Sequence, residues 1–111
     1  MNIAIEEESN AYILRLSGEL DASTCLDLDQ EIQLALGKPI EQLWIDFEAL
    51  SYISSAGLGV LISHMGTLED RNIPLVLYGM SEHVRNVFEL LGLHLIMCIV
   101  PSKKDAILQE K

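Results

Sequence analysis

The sequence predicts an α/β fold: a mixed, mostly parallel five-stranded sheet in the order β-β-α-β-α-β-α-β-α, with helices packed on the sheet. Three observations carry this. Residues 2–7 and 11–17 alternate apolar and polar side chains on either side of a short turn, as an antiparallel hairpin does. Beyond them, segments of helical spacing alternate with short apolar runs, the pattern of crossover helices between parallel strands. The run 43–47 is apolar almost without alternation, which suggests a strand buried on both faces.

Each element has its own signals. Ile3 and Ile5 mark the first strand, Ser9-Asn10 supplies turn chemistry, and Tyr12, Leu14 and Leu16 share one face of the second strand. Gly18-Glu19-Leu20-Asp21 breaks that pattern. Ser23 or Thr24 then caps a helix, with Asp27 placed for a capping box after Thr24. Cys25, Leu28, Ile32, Ala35 and Leu36 fall near helical spacing, Gly37 ends the helix, and Pro39 keeps the chain from re-entering it. The third strand, 43–47, ends in a loop that leads to Ser54-Ser55. A second helix follows, with Leu58, Leu61, Ile62, Met65 and Leu68 inward and Asn72 as a left-handed stop. Residues 73–78 form the fourth strand, with Pro74 at its start or on an unpaired side. Ser81 caps a third helix with Val84, Val87, Phe88 and Leu91 inward, closed by Gly92. Residues 95–100 form the fifth strand. Ser102 and Asp105 suit a capping box for a last helix.

The bulk numbers bound the function. A chain of 111 residues, half of them hydrophobic, reads as one domain, 1–111, with a core of its own. A net charge of −10 disfavours nucleic acid and anionic bilayers and favours a partner with a basic face. The N-terminus, Met1-Asn2-Ile3-Ala4-Ile5-Glu6, lacks the basic-then-apolar pattern of a leader, and no run is long and apolar enough to span a membrane, so the expected compartment is the cytoplasm. Cys25 and Cys98 have neither zinc nor redox-motif spacing and are expected to be small buried side chains. The Glu6-Glu7-Glu8 run reads as a solvated strand end.

The chemistry gathers between residues 44 and 65. Asp46 is expected at the carboxyl end of the third strand and Ser55 at the start of the second helix. In a parallel sheet those positions share an edge with Asp21, so the three residues are expected to lie near one another. Gly57 and Gly59 occupy the helix's first turn at a cost of about 1 kcal/mol each relative to alanine, so they serve close helix–sheet packing or the approach of another group. One of the two serines can cap while the other presents its hydroxyl. A phosphate there meets free backbone N–H groups and the positive end of the helix dipole. Catalysis finds little support. His64 is nine residues after Ser55 on the same helix, too far for a serine–histidine pair, and His83 and His94 show no ligand spacing. An Asp21–Asp46 carboxylate pair comes with no recognition signal. No cofactor, no metal and no enzymatic activity are expected.

These residues resemble a known family. Gly18-Glu19-Leu20-Asp21, Asp46-Phe47 and above all Tyr52-Ile53-Ser54-Ser55-Ala56-Gly57-Leu58-Gly59-Val60-Leu61 look like the STAS domain, and specifically a stand-alone anti-sigma factor antagonist. The resemblance spans essentially the whole chain and implies the STAS fold. It implies a partner switch: the unphosphorylated antagonist binds an anti-sigma factor that is also a GHKL-type serine kinase, which frees the sigma factor. Phosphorylation ends binding, and a PP2C-type phosphatase restores it. Ser55 matches the phosphorylated serine, with Ser54 as the second choice. Asp21, Asp46, Ser54, Ala56, Gly57, Leu58 and Gly59 match the surroundings that meet the partner. Many members carry Asp where this chain has Ser54. Two alternatives keep the fold: a STAS subunit of an ABC lipid transporter, and a partner switch whose output is not transcription.

Overall fold

The computed structural model describes residues 1–8 and 10–108, so Ser9 of the expected Ser9-Asn10 turn lies outside the described residues. The elements run β1 (Asn2–Glu8), β2 (Ala11–Leu20), α1 (Cys25–Leu36), β3 (Gln42–Ile53), α2 (Ser55–Asp70), β4 (Leu75–Tyr78), α3 (Glu82–Leu90), a 3-10 turn (Leu93–Leu95), β5 (Cys98–Val100) and α4 (Lys103–Leu108). One sheet holds the strands in sequence order. β1 pairs with β2 antiparallel, and β2 through β5 are parallel. The expected architecture is present.

Sequential strand order has a mechanical consequence. Right-handed crossovers that always step in one direction deliver every crossover helix to the same face. Accordingly Leu28 and Ile32 of α1, Leu58 and Leu61 of α2, and Val84 and Phe88 of α3 share one core with Leu14, Ile45, Phe47 and Leu77. Phe47 meets Phe88 edge to face at 6.0 Å. The other face is left to α4, whose Ala106 closes a smaller core of Ala11, Ile13, Trp44, Val76 and Tyr78. There Trp44 and Tyr78 stack edge to face at 6.1 Å.

Several local expectations are corrected. β3 does not end at Phe47. It continues to Ile53 beside β2, which itself runs on through Gly18 to Leu20. Register shifts interrupt this pairing after Arg15 and after Gly18, and the buried positions of β3 become Phe47, Leu50 and Ile53. That spacing of three hides the strand from a test for alternation. β5 begins only at Cys98, because Leu93 and Met97 turn inward and Leu95 and Ile96 turn out. Leu91 and Ile62 are exposed, so neither belongs to an inward stripe. Cys98 is exposed and Cys25 half-buried, so neither is the buried thiol expected. Thr24 makes no side-chain cap on α1. Its hydroxyl accepts the Asp21 N–H and donates to the Glu19 carbonyl, both at 2.9 Å, so the expected capping box is absent. Nor is the Glu6–Glu8 run merely solvated: Glu6 pairs with Arg15 at 2.8 Å, and Glu8 with Lys103.

Other caps follow the sequence. Asn72 adopts a positive φ of 56°, and the Ile73 N–H reaches back to the Leu68 carbonyl at 2.9 Å, a Schellman closure. The Ser81 hydroxyl accepts the Val84 N–H at 3.2 Å. Ser102 donates to the Asp105 carboxylate at 2.7 Å. His64 is a satisfied histidine, bonded to Asp29 of α1 at 2.7 Å. Arg71 donates to the Leu36 carbonyl at 2.6 Å, tying the ends of α1 and α2 together.

The two glycines of α2 have different reasons. A Cβ on Gly57 would lie 2.6 Å from Cγ of the buried Leu20 and 3.2 Å from Ile53, so this glycine lets α2 sit down on the ends of β2 and β3. A Cβ on Gly59 would meet nothing within 4 Å. Gly57→Ala is therefore expected to cost about 1–3 kcal/mol by overpacking. Gly59→Ala is expected to gain up to about 1 kcal/mol from helix propensity. Urea midpoints of the two variants check the opposite signs.

A second prediction concerns Tyr78. Its hydroxyl is buried and has no hydrogen-bond partner among the described residues. Burial, and next the Asp46 carboxylate, push its ionisation far above the ordinary range. Tyr78→Phe removes an unsatisfied polar atom and is expected to hold or raise stability, by up to about 1–2 kcal/mol. Chemical denaturation measures this directly.

Candidate functional site

β2 and β3 end side by side, with Leu20 opposite Ile53. The Ser54 N–H donates to the Leu20 carbonyl at 2.9 Å, which extends the ladder one bond beyond the strand. Asp21 follows Leu20 directly, so the pairing sets Asp21 beside the Ser54–Ser55 junction, as expected. The Asp21 carboxylate accepts the Ser23 hydroxyl at 2.7 Å and the Ser23 N–H at 2.9 Å. The Asp21 carbonyl takes the Thr24 and Cys25 N–H groups, which starts α1. Bonds from Ser23, first its hydroxyl and then its N–H, hold the Asp21 carboxyl below the usual carboxylate range.

Ser54 is the N-cap residue of α2 in extended conformation, with φ −102° and ψ 173°. Its hydroxyl does not cap the helix; it is buried without a partner among the described residues. Ser55 is the first residue of α2 and is exposed. The first turn of α2 carries no acidic side chain. Its N–H groups and the helix dipole are thus met by neither a side-chain cap nor an acid of the helix's own first turn. Ala56 is half-buried, while Gly57 and Leu58 are buried against the sheet.

Asp46 does not join this site. It lies inside β3, eight positions before Ser54, or about 25 Å of extended strand. In the sheet it shares a row with Arg15 and Tyr78 on the face that α4 covers. Asp46 is only 3% exposed, with Arg15 Nε at 3.4 Å and the Glu48 N–H at 2.8 Å. Gly79, at a positive φ of 78°, passes so close that a Cβ would lie 2.5 Å from Glu48 Cγ and 3.4 Å from the Asp46 carboxylate. The expectation that Asp46 ends its strand fails because β3 runs on to Ile53. Asp46 is a buried, paired charge of the second core.

Tertiary structure adds neighbours that the sequence reading missed. Tyr52 is exposed near the end of β3, two residues before Ser54. On α2, Ser55, Gly59, Ile62, Ser63, Gly66 and Thr67 are exposed and uncharged, and charge returns only at the helix end with the exposed Glu69 and Asp70. Six exposed and uncharged residues in a row of helical turns are unusual on a chain of net charge −10. The signal lay in the sequence as the absence of Asp, Glu, Lys and Arg between Ser55 and Leu68.

Comparison with known proteins places this arrangement in a class. The STAS domain family model matches residues 2–106. The chain belongs to the STAS domain family. Among curated relatives, the anti-sigma-B factor antagonist of Listeria monocytogenes is 35% identical over 96 residues, covering 84% of each chain. That of Staphylococcus aureus is 26% identical over 97 residues, covering 87% of this chain and 90% of its own. Among solved structures, the Bacillus cell fate determinant SpoIIAA in its phosphorylated form is 26% identical, with a TM-score of 0.74 over 99% of this chain and 100% of that one. An anti-sigma factor antagonist from Mycobacterium paratuberculosis has the same fold, with a TM-score of 0.86 at 24% identity over 97% of this chain and 92% of that one. Among the described residues no helix is long and apolar enough to cross a membrane, and no acid, histidine or cysteine cluster is arranged to hold a metal.

The Asp21 turn carries a pH prediction. Its folded-state ionisation is depressed, so its contribution to stability is present above the unfolded value of about 3.9 and is lost as pH falls through the folded value. Ser23→Ala removes the largest cause and is expected to move the Asp21 midpoint upward. Carboxyl carbon NMR titration of both proteins reads the two midpoints.

Proposed function

We propose that the chain is an anti-sigma factor antagonist that binds its anti-sigma factor through the start and outward face of α2, and that phosphorylation of Ser55 releases it. One observation carries the reading. Ser55 is the exposed first residue of a helix whose N-terminus has no side-chain cap and no acid, at the head of an uncharged face. The names of the relatives, and the phosphorylated form of the Bacillus protein, support the same reading.

The physical chemistry of the switch follows. The Ser55 hydroxyl gives up its proton to a base of the kinase as its oxygen bonds to the γ-phosphorus of ATP, whose bond to the β–γ bridging oxygen breaks and releases ADP. The product adds about −1.5 to −2 charges and strong acceptor oxygens. The free N–H groups of the first turn and the positive helix end accept them locally. A partner surface shaped to an uncharged helix cannot, because it would have to desolvate a dianion. Binding is therefore lost while the fold is kept. Hydrolysis of the phosphate ester by water returns the hydroxyl and inorganic phosphate.

In this reading the contact surface is Asp21, Ser54, Ala56, Gly57, Leu58 and Gly59, extended to Tyr52 and Ile62. Gly57 and Leu58 act from beneath by setting the helix height. Ser55 is the acceptor, and Ser54 is disfavoured because its hydroxyl is buried. The chain is a ligand and a substrate, not a catalyst. The binding partner is a GHKL-type anti-sigma factor kinase, a PP2C-type phosphatase reverses the switch, and both act in the cytoplasm.

Intact-mass analysis after incubation with an anti-sigma factor kinase of the same genome and ATP tests the site. Wild type and Ser54→Ala are expected to gain one phosphoryl mass, and Ser55→Ala none. In binding assays Ser55→Ala should retain affinity, while Ser55→Asp should lose at least about tenfold, some 1.4 kcal/mol. Equal binding by these two variants would overturn the proposal.

A further inference from the structure

α4 is fastened to the sheet differently from the other helices. Lys103, three residues after β5, pairs with Glu6 at 4.0 Å and with Glu8, and both acids lie on β1. β1 and β5 are opposite edges of the sheet. The first residue of α4 thus reaches across the smaller core to the far edge. Glu6 also pairs with Arg15 at 2.8 Å, and Arg15 lies 3.4 Å from the Asp46 carboxylate. Charges of alternating sign run Glu8, Lys103, Glu6, Arg15, Asp46 along that side of the face.

What α4 buries is small. Among its described residues only Ala106 is buried, while Ile107 and Leu108 are exposed. Six residues are too few to hold a helix in water, where about 12–15 are needed. The larger core contains no residue of α4, and the strands beneath keep their ladder without it. Few apolar contacts, on an element the other core does not need, are the marks of local opening. Opposed effects set the balance. Trp44 and Tyr78, each 1% exposed, favour the closed state because opening wets them. The Tyr78 hydroxyl favours the open one: it is buried with no partner among the described residues, and water can bond to it once α4 lifts. The Lys103 tether adds to the closed side. Its side chains are partly exposed, Lys103 at 30% and Glu8 at 47%, so salt screens it.

We propose that α4 is a clasp over the Trp44–Tyr78 face, that it opens while the rest of the fold stays intact, and that the Lys103 tether to β1 makes its opening depend on ionic strength. Closed, the clasp hides the aromatic pair. Open, it presents that pair on the face opposite α1, α2 and α3. The device is separate from the switch at Ser55 and does not rest on it.

Native-state hydrogen exchange on the full chain, followed by NMR, tests it. The Ala106 N–H bonds to the Ser102 carbonyl at 3.1 Å and reports on α4 itself. The indole N–H of Trp44, the single tryptophan, bonds to the Gln42 side chain at 3.1 Å, and its ring shares the smaller core with Ala106. It reports on uncovering of the face, which fraying of the helix end does not produce. Both protons are expected to show protection factors at least about tenfold below those of the β3 amides. Lys103→Met, a change nearly neutral in helix propensity, is expected to lower both by about threefold and leave the β3 amides unchanged. Lys104→Met, the same charge change at the next residue, is the control and should leave both as in wild type. Raising NaCl from about 0.05 to about 0.5 M should also lower both about threefold in wild type, and should do nothing in Lys103→Met. Tyr78→Phe gives the open state no hydroxyl to hydrate and is expected to raise both about fivefold. Exchange of the two protons together with the β3 amides would overturn the proposal. So would a Lys103→Met protein no different from Lys104→Met, or a Tyr78→Phe protein in which both protons exchange faster.

Discussion

The hydrogen bond from the Ser54 N–H to the Leu20 carbonyl is the contact on which the site depends. It is the last bond of the β2–β3 ladder, and it sets where one helix begins and another loop turns. Because Leu20 and Ile53 pair, Asp21 and Ser54 leave the sheet together. Because Gly57 has no side chain, α2 then lies close over Leu20 and Ile53, and Ser55 is left at the rim with its hydroxyl free.

The sheet separates roles by face. Crossovers of one hand, stepping in one direction, gather α1, α2 and α3 on one side and leave the other to the short α4. Asp21, Ser54 and Ser55 stand at the carboxyl ends of β2 and β3. The charged row of Glu6, Arg15 and Asp46 stands on the α4 side, where it is satisfied internally. Two acids that look alike in the chain therefore differ in kind. Asp21 organises a surface turn and keeps its charge through hydroxyl and amide donors. Asp46 is buried beside an arginine and supports the second core.

Much of this was legible in the chain. The hairpin, the alternation of helix and strand, the Ser81 cap and the Asn72 stop each rest on local patterns, and local patterns survive folding. The serine pair before a glycine-rich helix marked the candidate site. What misled was geometry that depends on a neighbour. β3 beyond Phe47 buries every third residue because its partner β2 shifts register, so neither alternation nor an apolar run announces it. Thr24 has the right spacing for a capping box, yet Asp21 and Glu19 occupy its hydroxyl first. Leu91, Leu95 and Ile96 carry the hydrophobicity of core residues, and only the 3-10 turn shows which of that run face water.

By itself the sequence determined the order of elements, the acidic balance, the Ser54-Ser55 junction and the uncharged run from Ser55 to Leu68. These are properties of composition and period, which exist before the chain folds. The tertiary structure alone decided that Asp21 reaches the junction while Asp46 does not. It decided too that Ser54 is covered while Ser55 is open, and that Gly57 serves packing while Gly59 does not. Each of those turns on strand register and on the face a side chain takes. A one-residue change in register reverses the face, and no local pattern records it.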